Sequence, residues 1–597
     1  MPGDAECWVL LANARRKCGD LDGAISAATS ALGVDPQQPL AWELKRVCLQ
    51  ASRRTHELQQ FLLGAPQDRM SREAWLDLIE ASQHLGKPVD AVGACLQALP
   101  KWPADRVLNF WLGIGLAELG MKAEAAECLR TALLLDLGPL EVGVRDLLAY
   151  FERQACDWAA AQEQLPRLVS AIEALPPEQS VCTAPFTHAT LLDDPAVQLK
   201  AAKAHALHVE RGVVPLPVRA PADNPRLRLG YVSADFHQHA TTHLMAELLE
   251  SHDATRFEVF LYSLGRSDGS AMRRRIETCG AHLVDALEMS AAELARRIRE
   301  DAIDILVDLK GYTRDARPAV FAHRPAPLQV AYLGYPGTSG ARYMDYIVGD
   351  PVVTPLEAAA HYSEKIAQMP GSYQCNDGTR VPPLPARRSE HGLPDEAWVL
   401  CAFNESYKIS PDVFDVWCRV MRTLPQAVLW LLECNPAATA ALRREAMARG
   451  VDPQRLIFAP KIDPARHLQR VACADVYLDA WPCNGHTTAS DMLWAGVPVV
   501  TVPGRTFASR VAASLLHAVG LPELVCSDVA QYEHMIVDLA RDPLRLEALR
   551  TRVRQTRHQS ELFDGAAAAR HLEALFERMW SRALAGLPPE HLEAEIA

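Results

Sequence analysis

A helical solenoid followed by two doubly wound α/β lobes is the architecture this sequence predicts. Three observations predict it. Helix-pair residues recur over the first 135 or so positions, with Trp42 following Trp8 by 34 residues, the period of a two-helix repeat. Beyond residue 225 the pattern changes to short, almost wholly apolar runs separated by helical segments, as buried parallel strands require. Proline-rich stretches at 213–225 and 382–394 break the chain before and within that second part.

In chain order, Trp8, Leu11, Gly19, Ala24, Ala28, Ala31 and Pro36 fall at tetratricopeptide offsets. A second clean unit runs through Trp75, Leu78, Gly86, Ala91, Cys95, Ala98 and Pro103, and a third through Leu112, Gly113, Leu116, Gly120, Ala125 and Ala132. The unit that starts at Trp42 is degenerate. The small residues are expected to let the first helix of each pair nest against the second, while Trp and Leu fill the space between pairs. Such a stack presents a concave groove suited to a peptide or protein, although a purely structural array has the same pattern. Periodic segments over 142–211 read as helices that dock the array onto the α/β part of the chain. The runs LRLGYVS, FEVFLYSL, IDILVDL, LQVAYLGYP and YMDYIVGD then predict one sheet, and VLCAFN, AVLWLLE, RLIFAP, DVYLDA and VPVVTVP a second. An amphipathic helix over about 565–583 closes the pattern. The expected divisions are 1–138 (repeats), 139–225 (docking helices and linker), 226–385 (first lobe) and 386–597 (second lobe).

The chain has 597 residues, of which 49% are hydrophobic and 23% charged, enough for three or four compact units. A net charge of −13 argues against general affinity for nucleic acid, whose phosphates call for a basic surface. No run approaches the roughly 20 apolar residues that cross a bilayer, and the first 20 residues lack the character of a secretory signal. A cytoplasmic protein with no membrane partner is expected. Its 15 cysteines are scattered, odd in number and without a CxxC pair, which suits reduced thiols better than a disulfide framework or zinc ribbon.

The segment CNGHTTASDMLWAGVPVVTVPG, residues 483–504, reads as a polar turn that opens into a buried helix and then a strand. Free amides and the positive end of the helix dipole make such a turn an anion site, most usefully for a diphosphate. Cys483 stands at the turn. Thr487 and Thr488 add hydroxyl donors, and Asp491 lies one turn further on, where a carboxylate can take a pair of sugar hydroxyls. An ordinary capped helix start uses the same residue types.

Other motifs decide between these readings. RLRLGYVSADFHQHATTHLM, LKGYTRDAR, RPAPLQVAYLGYPGTSGARYMDYIVGD and FNESYKISP accompany that segment in the order found in one family. Over roughly residues 226–580 the chain resembles the O-linked N-acetylglucosamine transferases. Animal members carry a long insert between their lobes, for which the passage from MPGSYQCND to HGLP leaves no room, so the compact bacterial form is the better likeness. The resemblance implies a glycosyltransferase B fold whose cleft binds a nucleotide sugar.

It also implies roles. Lys408 would contact the donor diphosphate, Thr487 and Thr488 would bind phosphates with His486 beside them, Asp491 would take the ribose hydroxyls, and His467 and Arg470 would stack on and hydrogen-bond the uracil. His239 matches the family's active-site histidine, as base or as an orienting group. Glu405 and Pro464 depart from the animal pattern, which has glutamine and lysine there. Read by spacing alone, His237, His239 and His243 suggest a metal, but no companion ligand motif supports one. Tyr335, Pro336 and Gly337, beside flexible glycines, suit a loop lining the sugar or acceptor site. Asp235 and Asp308 end predicted strands and are given no catalytic role.

Together these readings predict an inverting, metal-independent transferase. It would move N-acetylglucosamine from UDP-GlcNAc to Ser or Thr hydroxyls of a protein or peptide held in the repeat groove, with no cofactor. GDP-fucose as donor and a non-catalytic nucleotide-binding scaffold are the alternatives.

Overall fold

The computed structural model describes residues 4–67, 70–135, 137–384 and 386–595. The chain divides into two compact units, one ending at Val144 and the other running from Arg145 to Ala597.

Eight helices form the first unit among the described residues: α1 (Ala5–Lys17), α2 (Leu21–Val34), α3 (Pro39–Ala51), α4 (Thr55–Leu63), α5 (Arg72–His84), α6 (Pro88–Ala98), α7 (Arg106–Glu118) and α8 (Lys122–Leu134). Asp20, Ser71 and Asp105 cap α2, α5 and α7 with side-chain oxygens that accept from backbone amides two or three residues on. The alanines work as expected, since Ala24, Ala28, Ala31, Ala91, Ala98, Ala125 and Ala132 are all fully buried. The repeat glycines do something else. Gly19, Gly86 and Gly120 adopt φ of +81°, +66° and +84° with nothing near the position of a Cβ, so they end the first helix of each pair in a left-handed turn rather than admit a neighbour. Nesting falls to Gly113, where a Cβ would meet Leu129 at 2.9 Å. In the degenerate pair α3–α4 the left-handed position is taken by Arg53, at φ +55°.

The second unit holds two parallel sheets. The first contains β1 (Leu227–Ser233), β2 (Phe257–Ser263), β3 (His282–Asp285), β4 (Ile305–Asp308), β5 (Leu328–Ala331), β6 (Tyr346–Gly349) and β7 (Lys365–Gln368), in the order β3-β2-β1-β4-β5-β6-β7. The second contains β8 (Trp398–Ala402), β9 (Ala427–Leu432), β10 (Leu456–Ala459), β11 (Val476–Leu478) and β12 (Val499–Val500), in the order β10-β9-β8-β11-β12. In each sheet the chain builds outward for three strands and then returns to the other side of its first, which makes a switch point between β1 and β4 and between β8 and β11, the kind of place where ligands bind beyond the strand carboxyl ends. Strands β3 and β7 were not among the expected runs. The run through 328–336 yields a strand of only four residues before it turns.

Helices Glu141–Gln154, Trp158–Glu173, Pro185–Leu191 and Pro195–Val209 precede the first sheet. Apart from the first residues of the earliest one, they belong to the unit that holds the sheets. The last helix, Gly565–Leu584, follows the second lobe in sequence but returns to the first. Glu573, 2% exposed, accepts from the Asp253 amide and meets His252 Nδ1 at 2.9 Å each, and the Gly565 amide donates to Glu247. Leu592 then pairs by backbone with Ile366 and Gln368 at the edge of the first sheet.

Candidate active site

Strand carboxyl ends of both sheets supply the site. In the second lobe, β8 leads into Asn404 and the tight turn Ser406–Lys408, and β11 leads through Asp479 to the turn Cys483–His486 and the helix Thr487–Trp494. The Lys408 ammonium donates to the Asn484 carbonyl at 2.5 Å, so it lies against the start of that helix. The first amides of the helix have no partner within it. An ammonium therefore lies beside a helix start, whose first amides and dipole favour an anion.

Asp479, which was not singled out from the sequence, shapes this point. Its buried carboxylate accepts from the Gly485 amide and the Thr501 hydroxyl, both at 2.6 Å, and burial raises its pKa to about 6. Gly485 tolerates no side chain, because a Cβ would lie 2.4 Å from the Tyr477 hydroxyl. Asn484 ties the turn down through its amide to Ala508 and its side chain to Ala480. His486 sits under the helix start with Nε2 3.2 Å from the Ala508 carbonyl. Burial, reinforced by the Lys408 charge, lowers its pKa to about 3, so it is neutral. Thr487 and Thr488 are half-buried at the mouth.

Asp491 differs from expectation in one respect. Its carboxylate is already held by Arg380, at 2.8 Å, and Arg380 also lies over the Trp494 ring. Arg380 belongs to the segment joining the lobes and carries no sequence signal. Its Nη2 is buried without a hydrogen-bond partner. His467 packs against Phe403 and burial lowers its pKa to about 4. Arg470, expected at a base edge, is instead 2% exposed and turns inward: Nη1 donates to Pro460, Nε to His467 Nδ1, and the guanidinium covers Phe403. It braces His467, leaving that ring's Nε2 as the group with a free hydrogen-bonding direction. Glu405 is neutralised by Lys461, at 2.5 Å, which accounts for a carboxylate so near the anion turn. Pro464 opens the helix Pro464–Val471 behind the capping residue Asp463.

In the first lobe His239 caps the helix Ala240–Glu250, its Nδ1 accepting from the Thr241 amide at 3.2 Å. Asp235 Oδ2 is 3.4 Å from the same nitrogen, a contact that would favour the opposite tautomer. The amide contact prevails, because Lys310 engages both Asp235 oxygens, at 2.9 and 2.8 Å. Neutral His239 then carries its proton on Nε2. Desolvation by the surrounding protein outweighs the pull of Asp235 and lowers its pKa. Asp308 accepts from the amides of Lys310 and Gly311 and so shapes the loop that carries Lys310. His237 turns towards Asp268, while His243, whose pKa burial lowers, senses Arg380 and Asp491 across the gap. The three histidines do not converge on one point.

Tyr335, Pro336 and Gly337 lie in a loop that is pinned rather than flexible. Gly334 passes so close that a Cβ would stand 1.8 Å from the Leu309 carbonyl, and Gly340 meets the backbone of Ala202 and Lys203 in the same way. Glu364 accepts from the Thr338 hydroxyl and the Ser339 amide, both at 2.6 Å. The Tyr335 hydroxyl donates to the Pro185 carbonyl. Close approach is what these glycines provide.

Two doubly wound lobes that present an anion turn, a lysine and a histidine-capped helix to one gap define the two-lobed class of glycosyltransferases. The sequence profile of glycosyl transferase family 41 matches residues 155–384 and 378–572, and the chain belongs to that family. It is 38% identical over 418 residues to the probable UDP-N-acetylglucosamine–peptide N-acetylglucosaminyltransferase SEC of Arabidopsis thaliana, covering 67% of this chain and 43% of that one. To the UDP-N-acetylglucosamine–peptide N-acetylglucosaminyltransferase of Caenorhabditis elegans it is 31% identical over 565 residues, 73% of this chain and 49% of that one. The chain thus spans less than half the length of these curated relatives. A mutant O-GlcNAc transferase of Thermobaculum terrenum superposes with a TM-score of 0.71 at 30% identity, over 87% of this chain and 99% of that one.

Proposed function

We propose that this chain transfers N-acetylglucosamine from UDP-GlcNAc to Ser or Thr hydroxyls of a peptide or protein in the cytoplasm, with inversion and without a metal ion. The observation that carries the reading is the Lys408 ammonium on the Asn484 carbonyl beside the amides of the helix Thr487–Trp494. Negative charge that develops on the departing diphosphate meets a fixed positive charge and oriented dipoles there, without rearrangement. The printed names of the relatives support the donor and the peptide acceptor.

The acceptor oxygen bonds to the anomeric carbon as the bond from that carbon to the diphosphate breaks. A single displacement inverts the centre, the electron pair of the broken bond departs with UDP, and the acceptor's hydroxyl proton passes to an oxygen of the departing diphosphate or to water. His239 presents an Nε2–H and therefore orients an oxygen by donating to it; it is not poised to receive the proton. His467 supports the nucleoside through its ring face, braced by Arg470. The groove of the helical array is the proposed seat of the acceptor polypeptide.

Incubating the full chain with UDP-GlcNAc and a Ser/Thr peptide, in the presence of a chelator, tests this reading. Release of UDP with a glycosylated peptide is expected. UDP should also raise the thermal midpoint more than GDP at equal concentration. Preference for GDP would redirect the donor to GDP-fucose, dependence on added divalent ions would remove the leaving-group argument, and absence of both transfer and donor hydrolysis would leave a binding scaffold.

A further inference from the structure

The loop that carries Lys408 is held from behind, by residues far away in sequence. Arg153 Nη2 donates to the Tyr407 carbonyl at 3.0 Å. The Ser406 hydroxyl donates to the Gln154 carbonyl at 2.7 Å, and Trp158 Nε1 donates to the Ile409 carbonyl at 3.1 Å. Cys156 Sγ lies 3.9 Å from the Ser406 carbonyl. The Tyr407 ring packs on Tyr150 and Phe186, with centroids 5.0 and 6.2 Å away. Every residue of the turn except Lys408 is thus anchored to the helices that precede the first sheet.

Arg153 is the costly member of this set. It is 3% exposed, burial lowers its pKa to about 10, and its Nε has no hydrogen-bond partner. A guanidinium so placed would be a poor choice if only packing mattered, since an apolar side chain of similar volume fills space without a desolvation penalty. Its one protein acceptor at Nη2 explains the placement. The peptide joining Tyr407 to Lys408 is planar, so fixing the Tyr407 oxygen fixes the plane from which Lys408 departs. The other edge is fixed as well, because the Lys408 amide donates to the Glu405 carbonyl at 3.0 Å.

We propose that Arg153 is a positioning residue for Lys408, setting the direction in which the ammonium leaves the loop. The proposal rests on the reading that Lys408 meets the donor diphosphate. It is tested on the full chain with wild type, Arg153→Met and Arg153→Lys, measuring kcat, donor KM, UDP affinity by calorimetry and the thermal midpoint. Arg153→Met should fold, lower kcat about tenfold and weaken UDP to a similar degree, while donor KM moves little, because misdirection of a charge is felt most where the diphosphate charge is fully developed. Arg153→Lys, which keeps a donor for the Tyr407 carbonyl, should recover part of both losses. In a Lys408→Ala background Arg153→Met should have no further effect on kcat. An unchanged kcat and UDP affinity in Arg153→Met, a lysine variant no better than methionine, or a loss of kcat that only follows loss of folded protein would each overturn the proposal. A wild-type chain with no transfer at all would sink the reading of function instead, and UDP affinity would still report on Arg153.

Discussion

In the proposed reading the chemistry turns on Lys408, and its replacement separates chemistry from folding. It is half-buried and donates to the Asn484 carbonyl, outside the packed core, so Lys408→Ala should leave the thermal midpoint within about 2 °C of wild type. Its kcat should fall by about 10² to 10³, the usual consequence of removing one preorganised charge from a leaving group. Normal turnover in that variant would remove the leaving-group argument. The site histidines predict a pH dependence of stability. His467 and His486 are held neutral with pKa values of about 4 and about 3, below the value of about 6.5 they regain on unfolding. Their stabilisation is complete above pH 6.5 and lost as pH falls towards those values. Asp479, raised to about 6, acts in the opposite sense: it opposes folding as pH rises through 6 and is relieved below it. His205, His239 and His243 are likewise held below the usual value, so the unfolding free energy from urea titration should fall as pH drops from 6.5 to 4.5, and His467→Asn should flatten that slope. A slope unchanged by that substitution would show that the acid sensitivity lies elsewhere. Residue types and spacing around Cys483–Asp491 were enough to mark a polar turn that opens into a helix, because each acts on its own neighbours. Arg380 and Asp479 went unmarked because their partners Asp491 and Thr501 lie on other elements, where no local pattern reports them.

Among elements, the degenerate helix pair offers the clearest test of what the repeat glycines do. Where Gly19, Gly86 and Gly120 turn left-handed at no steric cost, Arg53 does so with a Cβ. Arg53→Gly relieves a strain of about 1–2 kcal/mol and gives back part of it through greater freedom of the unfolded chain. The net expectation is a gain of about 0.5–1 kcal/mol in chemical denaturation, and a loss would mean that the arginine side chain holds the pair in some other way. The apolar runs located most strands well, β1 to the residue, because a strand buried on both faces is apolar along its whole length. They missed β3 and β7 for physical reasons. β3 lies at a sheet edge with only Leu283 and Val284 between exposed ends, and β7 owes part of its pairing to Leu592, more than 220 residues later. The helices of 145–211 were legible as helices but not as part of the site wall. Asp193 illustrates why. It accepts from the amides of Arg505 and Thr506, 312 and 313 residues away, and so fixes the loop whose Ala508 carbonyl receives Asn484 and His486.

At the scale of the molecule, the division at Val144 predicts that residues 138–597 fold without the helical array. This fragment should show one cooperative unfolding transition and bind UDP as tightly as the full chain, while any dependence on long polypeptide acceptors should weaken. A fragment that fails to fold would mean that the two units share stability. The return of the helix Gly565–Leu584 to the first lobe bears on how the protein is made. Leu572, Phe576 and Met579 are buried in the same core as Leu244, Leu248 and Leu249 of the helix Ala240–Glu250. On the ribosome those early leucines emerge some three hundred residues before the surface that covers them, so a nascent chain carries an uncovered apolar face throughout translation of its second lobe. Completion of the first lobe must therefore wait until residues 565–584 have emerged, and a chaperone that shields this face would act in that interval.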